Sequence, residues 1–519
     1  MPSAAKHVFA HFMVGNTYPY TPREWEQDLI DCSERAGLDG FVLNVGREDW
    51  QRERVLDCFA TAAAIQSPLK FILSFDMRQA RDFQHHPSHT LLIHPPPLLP
   101  RMHTNPPTFP PPPLPPTLLP PSLPSSVIPA ATPADADYLC GYLARLARHP
   151  SLFRVPGTPR VVVSTFAGQD ATFGAAQLDE AWAGVKQRLA AHAQAPVCLI
   201  PAWFVDPARY PRMASMDGYF HWNGGWPLHL SPQSHRREIE GPALDSDVHH
   251  LRHLEGKLYM AAVSPWFFTH YGKDSWDKNW IYRGDDWLYV RRWEQILAMR
   301  DRIDIVQVIS WNDYGESHYI APVRGAQPSS QAWVDGFPHD AWLALTAHFA
   351  RAFREGRAPP VARDTIFMWA RPHPRDAAAR ADAVPRPDNW ELTDDRFWVV
   401  VLAAAPARVR LSADVGEEED AGRLGATEPA KSGRSLKSRF KATFGGRSDG
   451  GAGGSVNGAG VHDVPAGLTK LSLPLRPGRG MRAIMERDGA VVAKCAPAQF
   501  RFEASPEVYN FNAFVAQSE

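Results

Sequence analysis

Asp313 and Glu316 stand three residues apart in "WNDYGESHYI", Trp311 to Ile320, directly after the apolar run "IDIVQVIS". Hydrolysis of a glycosidic bond uses such a pair: one carboxylic acid protonates the leaving oxygen, and a second carboxylate activates water or attacks carbon. An Asp-Tyr-Gly-Glu loop is, taken alone, equally a turn or a helix cap. Company adds weight, because Asp76, Asp170 and Asp217 also flank apolar runs, where an acid is costly without a task. Aromatic residues gather at the same places: Trp203, Trp222, Trp226, Trp266, Trp276 and Trp311 lie at or after run ends. A Trp face offers a sugar ring apolar contact, and His221, Asn223, His270 and Asn312 beside them can take its hydroxyls. Each Trp taken singly is as readily a core residue.

The competing chemistries lack their patterns. His7, His11, His221 and His270 are candidate metal ligands, but the chain has no His-x-His on its first run and no HExxH. No glycine-rich phosphate loop and no GxSxG elbow occurs. A lone strand-end His is more readily a hydrogen-bond donor or sugar contact than a metal ligand.

Eight apolar, β-rich runs position these residues: 8–15, 40–46, 71–77, 160–168, 197–204, 218–225, 257–268 and 305–313. Near-continuous apolar strands are buried on both faces, as parallel strands are, and eight alternating with helices is the count of a TIM barrel. In that fold the site lies at the C-terminal strand ends, which is where the polar residues above fall. The helices are legible between the runs. "TPREWEQDLIDCSERAG" opens with Thr21 as N-cap, Pro22 at the first position and Glu24 closing a capping box. The link between the fifth and sixth runs, containing "DPARYP", is too short for a full helix.

At 519 residues the chain has room for a barrel and a smaller module. We divide it into a catalytic (β/α)8 barrel at 1–356 and a β-sandwich at 357–519. The sandwich is read from short alternating strands, "TIFMWARPHP", "RFWVVVLAAAPARVRLSAD", "LTKLSLPLRPG", "MRAIMERDGAVVAKC" and "QFRFE". It shows no sugar platform of its own, so it reads as a packing partner for the barrel. A proline-rich insertion spans about 85–134, with 18 of the 49 prolines between Pro87 and Pro133. That density excludes helix and central strand, and a disordered insertion or retained untranslated sequence is preferred to an SH3- or WW-type ligand. A second excursion at about 415–460 is rich in Gly, Ser and charge and reads as a loop.

With 55 basic and 56 acidic residues there is no electrostatic footprint for nucleic acid or an anionic membrane. No apolar stretch reaches the roughly 18 residues of a membrane span. The five cysteines are widely spaced without a CxxC, so a metal knuckle is not expected, and one thiol stays unpaired in a monomer, the expected state.

The blocks "VFAHFMVGNTYPYTPREWEQDLIDC", "GLDGFVLNVGREDWQ", "FILSFDM", "VVVSTFAGQD", "DGYFHWNGGWP", "SPWFFTHYGKDSWDKNWIYRGDDWL" and "WNDYGESHYI" resemble, in order, those of glycoside hydrolase family 71, the fungal α-1,3-glucanases or mutanases. The resemblance covers most of 7–350 outside the insertion. It implies a barrel followed by a sandwich, endo-hydrolysis of the cell-wall polymer α-1,3-glucan with inversion, and no cofactor. It puts the catalytic acids on Asp313 and Glu316, with Asp76, Asp170 and Asp217 binding sugar or tuning them. The longer reach of Glu316 favours it as the acid. An inverting pair stands about 6.5 to 9.5 Å apart, a retaining pair about 5 to 5.5 Å. The resemblance implies an extracellular or wall-associated enzyme, whereas this chain opens on its first strand without a signal core, which suits a cytoplasmic form or a truncated gene model. The other readings are a non-catalytic carbohydrate-binding protein and a barrel glycosidase for another linkage, such as a mannosidase.

Overall fold

The computed structural model describes residues 5–77, 128–415 and 459–519. Most of the proline-rich insertion and the Gly- and charge-rich excursion therefore lie outside the described residues. In chain order the first elements are β1 (His7–Met13), α1 (Pro22–Ile30), β2 (Gly40–Val45), α2 (Trp50–Ala64), β3 (Lys70–Asp76), α3 (Ala136–Leu146), β4 (Val161–Phe166), α4 (Leu178–Ala193), β5 (Val197–Ala202), β6 (Gly218–His221), α5 (Arg236–Ile239), α6 (Ser246–Leu251) and β7 (Leu258–Val263). A hairpin of β8 (Phe268–His270) and β9 (Asn279–Ile281), then α7 (Leu288–Ala298), precede β10 (Ile305–Val308), α8 (Gln331–Val334) and α9 (Asp340–Glu355).

Eight of these strands form one parallel sheet in the order β5-β4-β3-β2-β1-β10-β7-β6. All eight coincide with the apolar runs. Thr21 and Glu24 form the expected capping box on α1, and the short fifth link holds a 3₁₀ turn at Pro207–Arg212. The strands alternate as period 2 requires: Val8, Ala10 and Phe12 pack outward under the helices, while Phe9, Val42, Ile72, Val162, Ile200 and Met260 fill the barrel. The inward columns turn polar toward the C-terminal mouth, from Phe9 to His11, from Val42 to Asn44, and from Ile72 through Ser74 to Asp76. One end is thereby a packed core and the other a site.

Closure between the two end strands, β5 and β6, runs through Asp217. Its N–H donates to Leu199 O at 2.9 Å and its carboxylate accepts from Leu199 N at 2.9 Å. Asp39 and Asp304 stand likewise just before β2 and β10, accepting from Val8 N at 2.7 Å and Tyr259 N at 2.9 Å on the neighbouring strands. A charged acceptor at each strand start satisfies a neighbouring N–H that the ladder leaves over.

The C-terminal strands are β11 (Thr365–Ala370), β12 (Arg396–Ala403), β13 (Ala407–Val415), β14 (Ala459–Val464), β15 (Gly467–Pro474), β16 (Gly480–Arg487), β17 (Ala490–Cys495) and β18 (Phe514–Gln517). They make two antiparallel sheets, β15-β12-β11-β18 and β14-β13-β16-β17. Ile366, Met368, Phe397 and Val399 face the other sheet, whereas Phe367, Trp369, Trp398 and Val400 join the core outside the barrel. The central strands of the first sheet, β11 and β12, are thus buried on both faces. Two expectations are corrected: "QFRFE" is not a strand, and the fourth strand of the first sheet is β18, whose Trp369↔Val515 pairing comes from the chain's far end. All five cysteines are buried free thiols. Among the described residues, no helix is long and apolar enough to cross a membrane.

Candidate active site

A cavity of about 180 Å³ opens at the C-terminal mouth, lined by Asp76, Trp222, Asp313 and Glu316 together with His11, Asn44, Phe166, Tyr271, Trp276 and Lys278. The loop after β10 builds its reactive wall. Ser310 Oγ accepts from Asp313 N at 2.8 Å, and Asp313 Oδ1 accepts from Glu316 N at 3.3 Å. Asn312, fully buried, locks this loop onto β1: its Oδ1 accepts from Met13 N at 2.8 Å and its Nδ2 donates to Met13 O at 3.2 Å. Gly315 is required by close approach, since a Cβ there would lie 2.2 Å from Tyr271 Oη.

The two acids are treated differently by their surroundings. Burial, and next the negative charge of Glu316, push the Asp313 carboxyl up to about 6. Glu316 instead meets Lys278 Nζ at 3.0 Å on Oε1 and His318 Nε2 at 3.2 Å on Oε2. His318 is itself held by Ser310 Oγ at 2.9 Å from Nδ1. The two environments thus differ: burial and a like charge raise Asp313, whereas Glu316 meets two nitrogen groups.

One oxygen each of Asp313 and Glu316 and a His318 nitrogen lie within 4.8 Å of one another, so the two carboxylates face a shared space. Both acids leave one tight turn, which folds them together. The same three donors are the set among the described residues that could hold a metal ion, but Lys278 and His318 already occupy both oxygens of Glu316.

Other expected contacts lie elsewhere. Asp217 sits at the opposite end of the barrel, bound to Arg160, to Lys186 Nζ at 2.5 Å and to Leu199 N, so its assignment to sugar is corrected: it precedes its strand. Asp170 is exposed and takes a bond from Gln169 at 2.9 Å, outside the cavity lining. His221 is buried against His250, with ring centroids 3.9 Å apart, and Nε2 meets Ser246 Oγ at 3.0 Å. Burial pushes its imidazole down to about 4. Asn223 is half-buried and outside the lining. Trp266, 2% exposed, donates to Phe511 O at 2.8 Å, and Trp311 packs edge-on against Phe41 at 4.9 Å, so neither is a platform. His270 is tied to Asp382 at 2.9 Å behind the cavity wall. Trp222 does face the cavity, edge-on to His11 at 4.9 Å and Phe166 at 4.6 Å. Lys278 and Tyr271 were missed; "DKNW" and "HYG" carry no local signature, though Trp276 nearby falls in the aromatic set.

The sequence model described as Glycosyl hydrolase family 71 matches residues 4–93 and 127–434. A glucan endo-1,3-alpha-glucosidase of Schizosaccharomyces pombe is 33% identical over 412 residues, 79% of this chain and 81% of that protein. A mutanase of Penicillium rubens is 29% identical over 410 residues, 78% of this chain and 74% of that protein. Among solved structures, a GH99 endo-alpha-mannosidase from Bacteroides thetaiotaomicron covers 67% of this chain and 98% of its own at 11% identity and TM-score 0.40, a likeness from which no activity is drawn. With the family match spanning both the barrel and the Asp313–Glu316 loop, the chain belongs to glycosyl hydrolase family 71.

Proposed function

We propose that the chain is an endo-acting glucan hydrolase cutting α-1,3 linkages of wall polysaccharide outside the cell, as a monomer. The observation that carries this is the Asp313–Glu316 pair on the cavity wall, one member pushed up to about 6 and the other ion-paired. Asp313 donates its proton to the leaving oxygen, and Glu316 is the charged partner. Two exposed aromatics support an open, chain-accommodating mouth. Tyr18, 62% exposed, follows β1, and Phe204, 41% exposed, follows β5. These strands are four apart in the sheet order, hence on opposite sides of an eight-stranded barrel. Phe204 meets Phe166 of the cavity wall edge-on at 5.8 Å, and Tyr18 meets Trp50 at 6.3 Å. A polymer crossing the mouth contacts both and passes the acids between.

Reducing-end release from insoluble α-1,3-glucan, with Glu316→Gln beside it and α-1,4- and β-1,3-glucans as controls, tests the reading. Release confined to α-1,3-glucan and lost in the variant is expected; binding without release makes it a carbohydrate-binding protein, and release from another linkage reassigns the substrate. The anomeric form of the first product assigns the second carboxylate. A β product means that water attacks with inversion, activated by Glu316 or by Asp76, the third carboxylate lining the cavity. An α product means that Glu316 attacks carbon directly.

A further inference from the structure

Three residues of the cavity wall, Tyr271, Trp276 and Lys278, come from the β8–β9 hairpin, which is not part of the barrel sheet. An isolated two-stranded hairpin is marginal in water, so something must hold this one. A segment beyond the barrel, 382–389, does so. Ile281 N donates to Asp388 O and Asp388 N to Asn279 O, both at 3.0 Å, which adds a third, parallel rung at Trp280. Asn279 Nδ2 donates to Pro385 O at 2.7 Å and Asn389 Nδ2 to Ile281 O at 3.3 Å. At the other strand His270 is held at both ring nitrogens, Nδ1 by Asn279 Oδ1 at 2.7 Å and Nε2 by Asp382 Oδ2 at 2.9 Å. The side chains of His270 and Asp382 are 5% and 7% exposed. Asp382 is fixed in turn, accepting from Tyr509 N at 2.7 Å and Val384 N at 2.9 Å.

The opposite side of the hairpin meets the reacting loop. Phe268 N donates to Glu316 O at 3.2 Å, Tyr271 N to Lys278 O at 2.6 Å, and Lys278 Nζ reaches Glu316 Oε1 at 3.0 Å. We propose that Asp382 and the 382–389 segment are positioning elements of the active site: through His270 and Asn279 they hold the hairpin where Lys278 pairs with Glu316. The proposal rests on the reading that Asp313 and Glu316 are the reacting carboxylates. It gives the C-terminal half a catalytic task distinct from sugar binding, because no atom of the segment needs to touch substrate.

The test compares wild type, Asp382→Ala, Asp382→Asn, Lys278→Met and the Asp382→Ala/Lys278→Met double variant, by amide hydrogen exchange and by steady-state hydrolysis of α-1,3-glucan. Asp382→Ala should speed exchange across 268–281 and lower kcat roughly tenfold with KM little changed, the usual scale for a displaced supporting group. Asp382→Asn, which keeps an oxygen acceptor for His270, should restore much of both. The double variant should lose no more than Lys278→Met alone, since both changes break the same contact. Unchanged exchange in Asp382→Ala, faster exchange with unaltered kcat, or multiplicative losses in the double variant would each overturn the proposal. If Asp382→Ala does not fold, His270→Gln carries the same comparison. A wild type inactive on every glucan would sink the proposed function instead, and the exchange data would then judge the clamp alone.

Discussion

Asp217 and Asp313 are carboxylates at opposite ends of one barrel, and their surroundings differ in kind. Asp217 opens β6 with every strong partner supplied, Arg160, Lys186 and a backbone N–H, and Asp39 and Asp304 repeat the device before β2 and β10. Asp313 follows β10 with one weak backbone donor, and burial, then the neighbouring Glu316, push its carboxyl up. Satisfied acids at the strand starts close the barrel; the acids at the strand ends line the cavity together. The contrast shows that an acid beside an apolar strand is no sign of chemistry until its donors are counted.

The largest break in this contrast comes from the mouth. Asp313→Asn and Glu316→Gln should each lower kcat by at least about 10²-fold with the far-UV spectrum unchanged, as loss of a proton-transfer group does. Near-normal turnover in both would remove the pair from the mechanism.

At the other end the expected effect is on folding. Asp217→Ala strands Leu199 N–H and two cations, and should cost about 2 kcal/mol in denaturant melts while kcat of the folded fraction stays at wild type. A large fall in kcat with unchanged stability would return Asp217 to the active site.

The pH dependence sharpens the same difference. Asp313 donates only when protonated, so activity should fall about tenfold per unit above pH 6 or so. Glu316→Gln removes the neighbouring charge and should move the Asp313 titration to lower pH, read by NMR of its carboxyl. Stability carries the matching sign. With a folded value near 6 against 3.8 unfolded, the contribution of Asp313 is present below 3.8 and lost as pH rises through about 6. Asp313→Asn should therefore gain on wild type in melts at pH 7 and not at pH 3.

The smallest effect lies on the rim. Phe204→Ala should reduce kcat/KM on long α-1,3-glucan roughly 3- to 10-fold, the scale of one aromatic contact, and leave the shortest cleavable oligomers unaffected. Equal loss on all lengths would assign Phe204 to packing on Phe166.

Much of this was legible without coordinates because the rules that wrote it are local. Near-continuous apolar runs mark eight strands, a capping box starts α1, and the polar residues after Val308 announce the loop that bears Asp313 and Glu316. Even the reassignment of Asp217 had a signal, since "MDGYF" repeats the "LDGF" that opens β2 around Asp39. What the tertiary structure alone decided involves partners far apart in sequence. Lys278 meets Glu316 across 38 positions, His270 meets Asp382 across 112, and β18 pairs with β11 from the end of the chain. The 4.8 Å crowding of the acids is likewise a property of the folded turn. Local propensity sets where elements begin and which face is apolar; which charges come to rest beside which is set by barrel closure and by the sheet docked against it, and no spacing encodes that.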